Sequence, residues 1–171
     1  MLIRSETFFK WLLYGLAALV CCAVQGLALQ RLVLFGVFPF LYPAVAAVLS
    51  TLEGPVAGTA FSLVLGIFCD LALPGPIPCL YTLIFPLAGL VSALIAQGWI
   101  KAGPLCALTA SAFALVLTDL FQALVLVMQR RDGVLPFALE LTAKETALTL
   151  PFVIPVFLLM RAVYRRCHRY D

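Results

Sequence analysis

Six long apolar segments, about 8–29, 32–50, 55–73, 80–96, 103–128 and 148–164, follow one another with only short polar or Pro/Gly-rich breaks between them. A helix needs roughly 20 mainly apolar residues to cross the hydrocarbon core of a bilayer. The runs are continuous rather than alternating, which argues against a β-barrel. The chain is therefore expected to be all-α, a polytopic membrane protein with six transmembrane helices. The segments consume most of the 171 residues, so residues 1–171 form a single integral membrane domain in this reading. Composition agrees: 11% of the residues are charged, where a soluble domain carries about 25%.

Arg4 and Lys10 precede the first apolar run in the manner of a signal peptide. The run is longer than a typical signal core and is followed by no clear small-residue cleavage site, so it reads as an uncleaved helix. With six crossings, Arg4, Lys10, Lys101, Arg161, Arg165, Arg166 and Arg169 fall on one side. Arg31, Arg130, Arg131 and Lys144 fall on the other. The richer side is cytoplasmic by the positive-inside rule, which places both termini there. The cluster Arg161, Arg165, Arg166 and Arg169 is a juxtamembrane topology anchor able to attract anionic lipid. His168, within the same tail, reads as solvated.

Six cysteines are spread without a CxxC or a Cys/His pattern of zinc spacing. They read as small apolar packing residues in preference to a Cys69–Cys79 bridge near the outer surface. The sequence holds a single histidine and no HExxH, GxSxG or GxxxxGK[ST] motif. An enzyme is not expected, and neither a cofactor, a metal nor a nucleic acid enters the reading.

Short loops make successive helices antiparallel neighbours. The longer connection after the fifth segment is expected to form an amphipathic surface helix over about 134–147, with Phe137 and Leu141 on one side and Glu140, Lys144 and Glu145 on another. Such a helix would lie on lipid or against a partner.

Asp119 is the clearest ionisable residue inside a span, with Gln122 one turn further on. It stands nine residues before Met128, about 13 Å of helix, near mid-membrane. An intramembrane carboxylate is either a functional site or a hydrogen-bonding fastener between helices.

In the third segment Gly54, Gly58, Ser62, Gly66 and Asp70 recur every four residues. Four residues turn a helix by roughly 400°, so the row forms one connected, nearly side-chain-free groove. In lipid such rows let helix backbones approach, either inside the protein or against a partner's helix. Asp70 ends the row where its own helix dipole disfavours an anion, which points to the following turn or a partner as its purpose.

The order Pro43, Glu53–Gly54–Pro55, Gly58, Gly66, Asp70, Gly75, Tyr81 and Gly89 resembles the pattern of the rod shape-determining MreD family. The resemblance covers about residues 43–89, and the PGPIP stretch after Asp70 departs from it. It implies a non-enzymatic component of the bacterial cell-elongation complex in the plasma membrane. The partners it implies are MreC, MreB, RodA and a class B penicillin-binding protein. In size and helix count the chain is also similar to the substrate-binding subunits of energy-coupling-factor vitamin or metal transporters. Those subunits dock through small-residue rows in the first helix, and Ala18, Cys22 and Gly26 form such a row here.

Overall fold

The computed structural model describes residues 2–27, 29–31, 36–73, 77–98, 103–129 and 134–167. They form α1 (Leu2–Leu27), a 3-10 turn (Leu29–Arg31), α2 (Tyr42–Glu53), α3 (Pro55–Ala72), α4 (Leu80–Gly98), α5 (Pro104–Met128) and α6 (Val134–Cys167). All but α2 are long and apolar enough to cross a membrane, which marks a multi-pass helical membrane protein. Their apolar outer faces are exposed, as in Leu12 and Leu16 of α1, Val64 of α3, Leu83 of α4 and Leu120 of α5. That pattern suits a solvent of lipid tails.

The second apolar segment departs from the expectation. Residues 32–35 lie outside the described residues, 36–41 are not helical, and only Tyr42–Glu53 is. At 12 residues, α2 is about 18 Å long, too short to span alone. Pro39 and Pro43 set its start. Pro39 disfavours a helical residue before it, and Pro43 sits in the first turn, where its missing N–H costs no hydrogen bond. Gly54 sets its end, turning the chain at φ +87°, a conformation that a side chain would strain. Pro55 then opens α3.

Helix α2 is the centre of the fold. It touches α1, α3, α4, α5 and α6, and every residue from Tyr42 to Thr51 is buried. A helix apolar all round belongs in such a position. It can be enclosed so tightly because it is made largely of small residues: Ala47 of α2, Ala88 of α4, and Ala110 and Ala114 of α5 meet in a layer with no exposed surface.

The Gly54–Gly58–Ser62–Gly66–Asp70 row of α3 faces this centre. A Cβ on Gly58 would stand 2.7 Å from the Ser50 Cβ of α2, and one on Gly66 would stand 2.6 Å from the Tyr81 carbonyl of α4. Between them Ser62 Oγ lies 3.3 Å from Ser50 Oγ, opposite Gly89 of α4, whose added Cβ would run into both serines. Each serine hydroxyl also donates to a carbonyl of its own helix, Ser50 to Ala46 at 2.8 Å and Ser62 to Gly58 at 2.8 Å. Of the two roles open to the row, internal packing is the one it performs.

The expected surface helix at 134–147 is the first part of α6, which continues through Pro151 and Pro155. Its polar residues explain the difference. Glu140 and Lys144 pair with each other on the exposed side, whereas Thr142, Glu145 and Thr149 turn inward. Thr149 Oγ1 donates to the Glu145 carbonyl at 2.7 Å and accepts the Phe40 N–H at 3.1 Å. An inward polar face in this segment serves protein contacts rather than a lipid surface. The C-terminal end of α6 returns to the neighbourhood of Lys10 and Glu53, so α1 begins and α6 finishes at the same end of the bundle.

Substituting Gly66 by Ala forces apart the α3–α4 contact, and overpacking of this kind costs about 1–3 kcal/mol. Thermal denaturation of purified protein should show a clear loss for Gly66→Ala and Gly58→Ala. It should show little change for Gly15→Ala, where nothing lies within 4 Å of the added carbon.

Candidate functional site

Charged and hydrogen-bonding side chains gather at the two ends of the bundle. At the end where α1 begins, Glu53 closes α2 and its side chain is only 5% exposed. Lys10 of α1 pairs with its Oε2, and the fully buried Tyr14 donates its hydroxyl to Oε1 at 2.6 Å. This triad ties the first half of α1 to the end of α2.

At the opposite end Asp70 resolves the puzzle of a carboxylate at a helix C-terminus. It accepts the N–H of Tyr81 at 3.1 Å and of Thr82 at 2.7 Å, together with the Thr82 hydroxyl. These are donors in the first turn of α4, which have no partner within their own helix. The charge is unfavourable for α3 and favourable for the N-terminal dipole of α4. Asp70 therefore joins the end of α3 to the start of α4. Gly75 lies outside the described residues. Cys69 is buried and Cys79 exposed, both as free thiols, so the bridge considered between them is not formed.

Next to this cap lies a cavity of about 330 Å³. One wall is aromatic, made by Phe38, Phe40, Tyr42 and Tyr81. The other is polar, made by Gln25 of α1, Asp119 and Gln122 of α5 and Glu145 of α6, with Leu73 at the edge. The aromatic wall is held firmly. Gln25 donates to the Pro39 carbonyl at 2.6 Å and accepts the Leu41 N–H at 3.0 Å, and so satisfies the non-helical backbone that leads into α2. The rings of Phe40 and Tyr42 meet at 5.4 Å, and those of Phe40 and Tyr81 at 6.1 Å.

Asp119 and Gln122 were expected as intramembrane polar residues, and both line this cavity without contacting each other through a hydrogen bond in the described geometry. Gln122 Nε2 donates to the Tyr81 hydroxyl at 3.2 Å, tying α5 to α4. Asp119 is hydrogen-bonded by Thr142, tying α5 to α6. Its Oδ2 is buried and has no hydrogen-bond partner among the described residues.

The remaining sequence candidates lie apart from the cavity. Arg161 sits over the Phe157 ring at 5.8 Å. Arg165 and Arg166 are exposed in the last turn of α6, where positive charge also suits the helix dipole. Arg169 and His168 lie outside the described residues. In α1, Ala18 is buried and Cys22 packs on the core, while Gly26 is exposed, so that row is divided between packing and surface.

Sequence reasoning passed over Gln25, Glu53, Tyr81 and Glu145 as site residues. Gln25 and Glu53 carried a visible signal, a polar residue at the edge of an apolar run. Glu145 was hidden by its place in a segment read as surface helix.

Removing one partner of a buried ion pair costs about 3–5 kcal/mol, because the other charge remains buried. Lys10→Met should therefore lower the unfolding temperature sharply, and adding Glu53→Gln to it should recover part of the loss. Asp70→Ala should loosen the start of α4, seen as faster hydrogen exchange at Tyr81 and Thr82. Asp70→Asn, which keeps an acceptor oxygen, should do so less.

No family model matches the chain, and no curated protein or solved structure matches it.

Proposed function

We propose that the chain is a non-enzymatic subunit of the bacterial cell-elongation complex. It acts in the plasma membrane as a scaffold or regulator of lateral peptidoglycan synthesis, with both termini in the cytoplasm. The observation that supports this reading is the fate of the MreD-like pattern. Pro43 starts α2, Gly54 turns it into α3, and Gly58, Gly66 and Gly89 bring α2, α3 and α4 together. Asp70 and Tyr81 then bind α3 to α4. A pattern devoted to one rigid helical unit suits a protein that works by presenting surfaces.

Because the row of α3 is consumed inside, contacts with MreC, MreB, RodA or a class B penicillin-binding protein must use other faces. The outer face of α1, with Phe8, Phe9, Leu12 and Leu16 exposed, is the most loosely attached apolar surface available.

A second reading, a substrate-binding subunit of an energy-coupling-factor type transporter, is favoured by the cavity beside Tyr81 and Asp119. Its volume lies at the lower end of the 300–1,000 Å³ typical of ligand sites.

Depletion of the chain in its own host separates the two. Rod-shaped cells should round up, and affinity-tagged protein should recover an MreC-type partner. Unchanged cell shape with loss of uptake of a small molecule would overturn the elongation reading in favour of the second.

A further inference from the structure

We infer that the polar cavity binds a small organic ammonium ion, a protonated amine on a compact apolar body. The inference stands apart from the elongation-complex reading and deepens the small-molecule reading by naming the chemistry of the ligand.

The first support is charge. Asp119 of α5 and Glu145 of α6 line the same cavity and lie within electrostatic range of each other. No lysine, arginine or histidine is among the described lining residues. Lys144, beside Glu145 in sequence, is engaged by Glu140 on the exposed side of α6. Two carboxylates in a membrane protein cavity without a cation are costly, and such groups normally pair with charge or mark a substrate path. Asp119 itself lines the cavity, while its Oδ2 is turned into the protein with no donor among the described residues, so no protein group there offsets its charge.

The second support is the aromatic part of the lining. Phe40, Tyr42 and Tyr81 present aromatic rings to the same space, and ring faces attract a desolvated cation. Gln122 spends its amide donor on Tyr81, so its carbonyl oxygen is the end a ligand N–H would use. The walls are set before any ligand arrives. Gln25 holds the Pro39 carbonyl and the Leu41 N–H, and Thr149 holds the Phe40 N–H between them, and this limits the ordering cost of binding.

A divalent metal fits less well. It wants six or more oxygen ligands, and the described residues contain no group of three or more acidic, histidine or cysteine side chains placed to hold one. A carboxylate ligand would meet two like charges. An ammonium with an apolar body uses both walls.

The test uses the full chain in lipid nanodiscs and three probes of one shape: 2-phenylethylammonium, 2-phenylethanol and phenylacetate. Equilibrium binding is read by thermal stabilisation and by dialysis. The ammonium should bind saturably and at least about tenfold more tightly than the alcohol, with phenylacetate not binding. Asp119→Asn and Glu145→Gln should each weaken the ammonium by about tenfold or more. Equal binding of ammonium and alcohol, preference for phenylacetate, or no saturable binding to the wild-type chain would overturn the inference. These comparisons rest on the wild-type protein, so a variant that fails to fold does not remove the test. Cell-shape complementation by the same variants reads the elongation role separately.

Discussion

The fold depends on the close enclosure of α2. Between hydrocarbon tails and a leucine there is no hydrophobic difference to drive helices together, so association relies on backbone approach and on hydrogen bonds. This chain supplies approach with Ala47, Ala88, Ala110 and Ala114 in one layer and with Gly58, Gly66 and Gly89 around Ser50 and Ser62 in the next. A helix too short to span is stable in this setting because the neighbouring helices shield it from lipid. The non-helical backbone leading to it is tolerated only because protein groups satisfy it. Gln25 and Thr149 do that work at Phe40 and Leu41.

The charges follow from the same constraint. An ionisable group in a bilayer must be paired, placed at an end, or used. Glu53 is paired with Lys10 and Tyr14, and Asp70 is placed where it meets the open N–H groups of α4. The arginines of the last turn of α6 are left exposed. Asp119 and Glu145 are the two that none of these arrangements fully accounts for, and they share one cavity. The bundle is thus fastened at both ends and hollow at one of them.

Much of this was legible in the sequence. The run lengths located α3, α4, α5 and the end of α1 to within about two residues, since apolar length and flanking Pro/Gly set those boundaries locally, whereas α1 begins before its apolar run, at Leu2. The spacing of the α3 row predicted a groove, and the position of Asp70 left open the following segment or a partner; its bonds go to Tyr81 and Thr82. What was not legible depends on distant contacts. Pro39 falls inside an apolar run of spanning length, yet residues 36–41 are not helical, and protein groups satisfy their backbone. The 134–147 segment has the charge pattern of a surface helix. Its direction is decided by Asp119, which reaches Thr142, and by the Phe40 backbone, which reaches Thr149, partners more than 20 residues away. The cavity is likewise assembled from all parts of the chain, and no local spacing announces it.

The central claim is that the small-residue row of α3 is spent inside one molecule, against α2 and α4. Disulfide trapping in native membranes tests it most directly. Ser50→Cys and Ser62→Cys, introduced together into a chain whose own cysteines are replaced, bring two thiols to the place where the serine oxygens stand 3.3 Å apart. The account predicts a rapid bridge within a single chain on mild oxidation. Failure to form it, or a bridge that joins two chains through the row, would contradict the account.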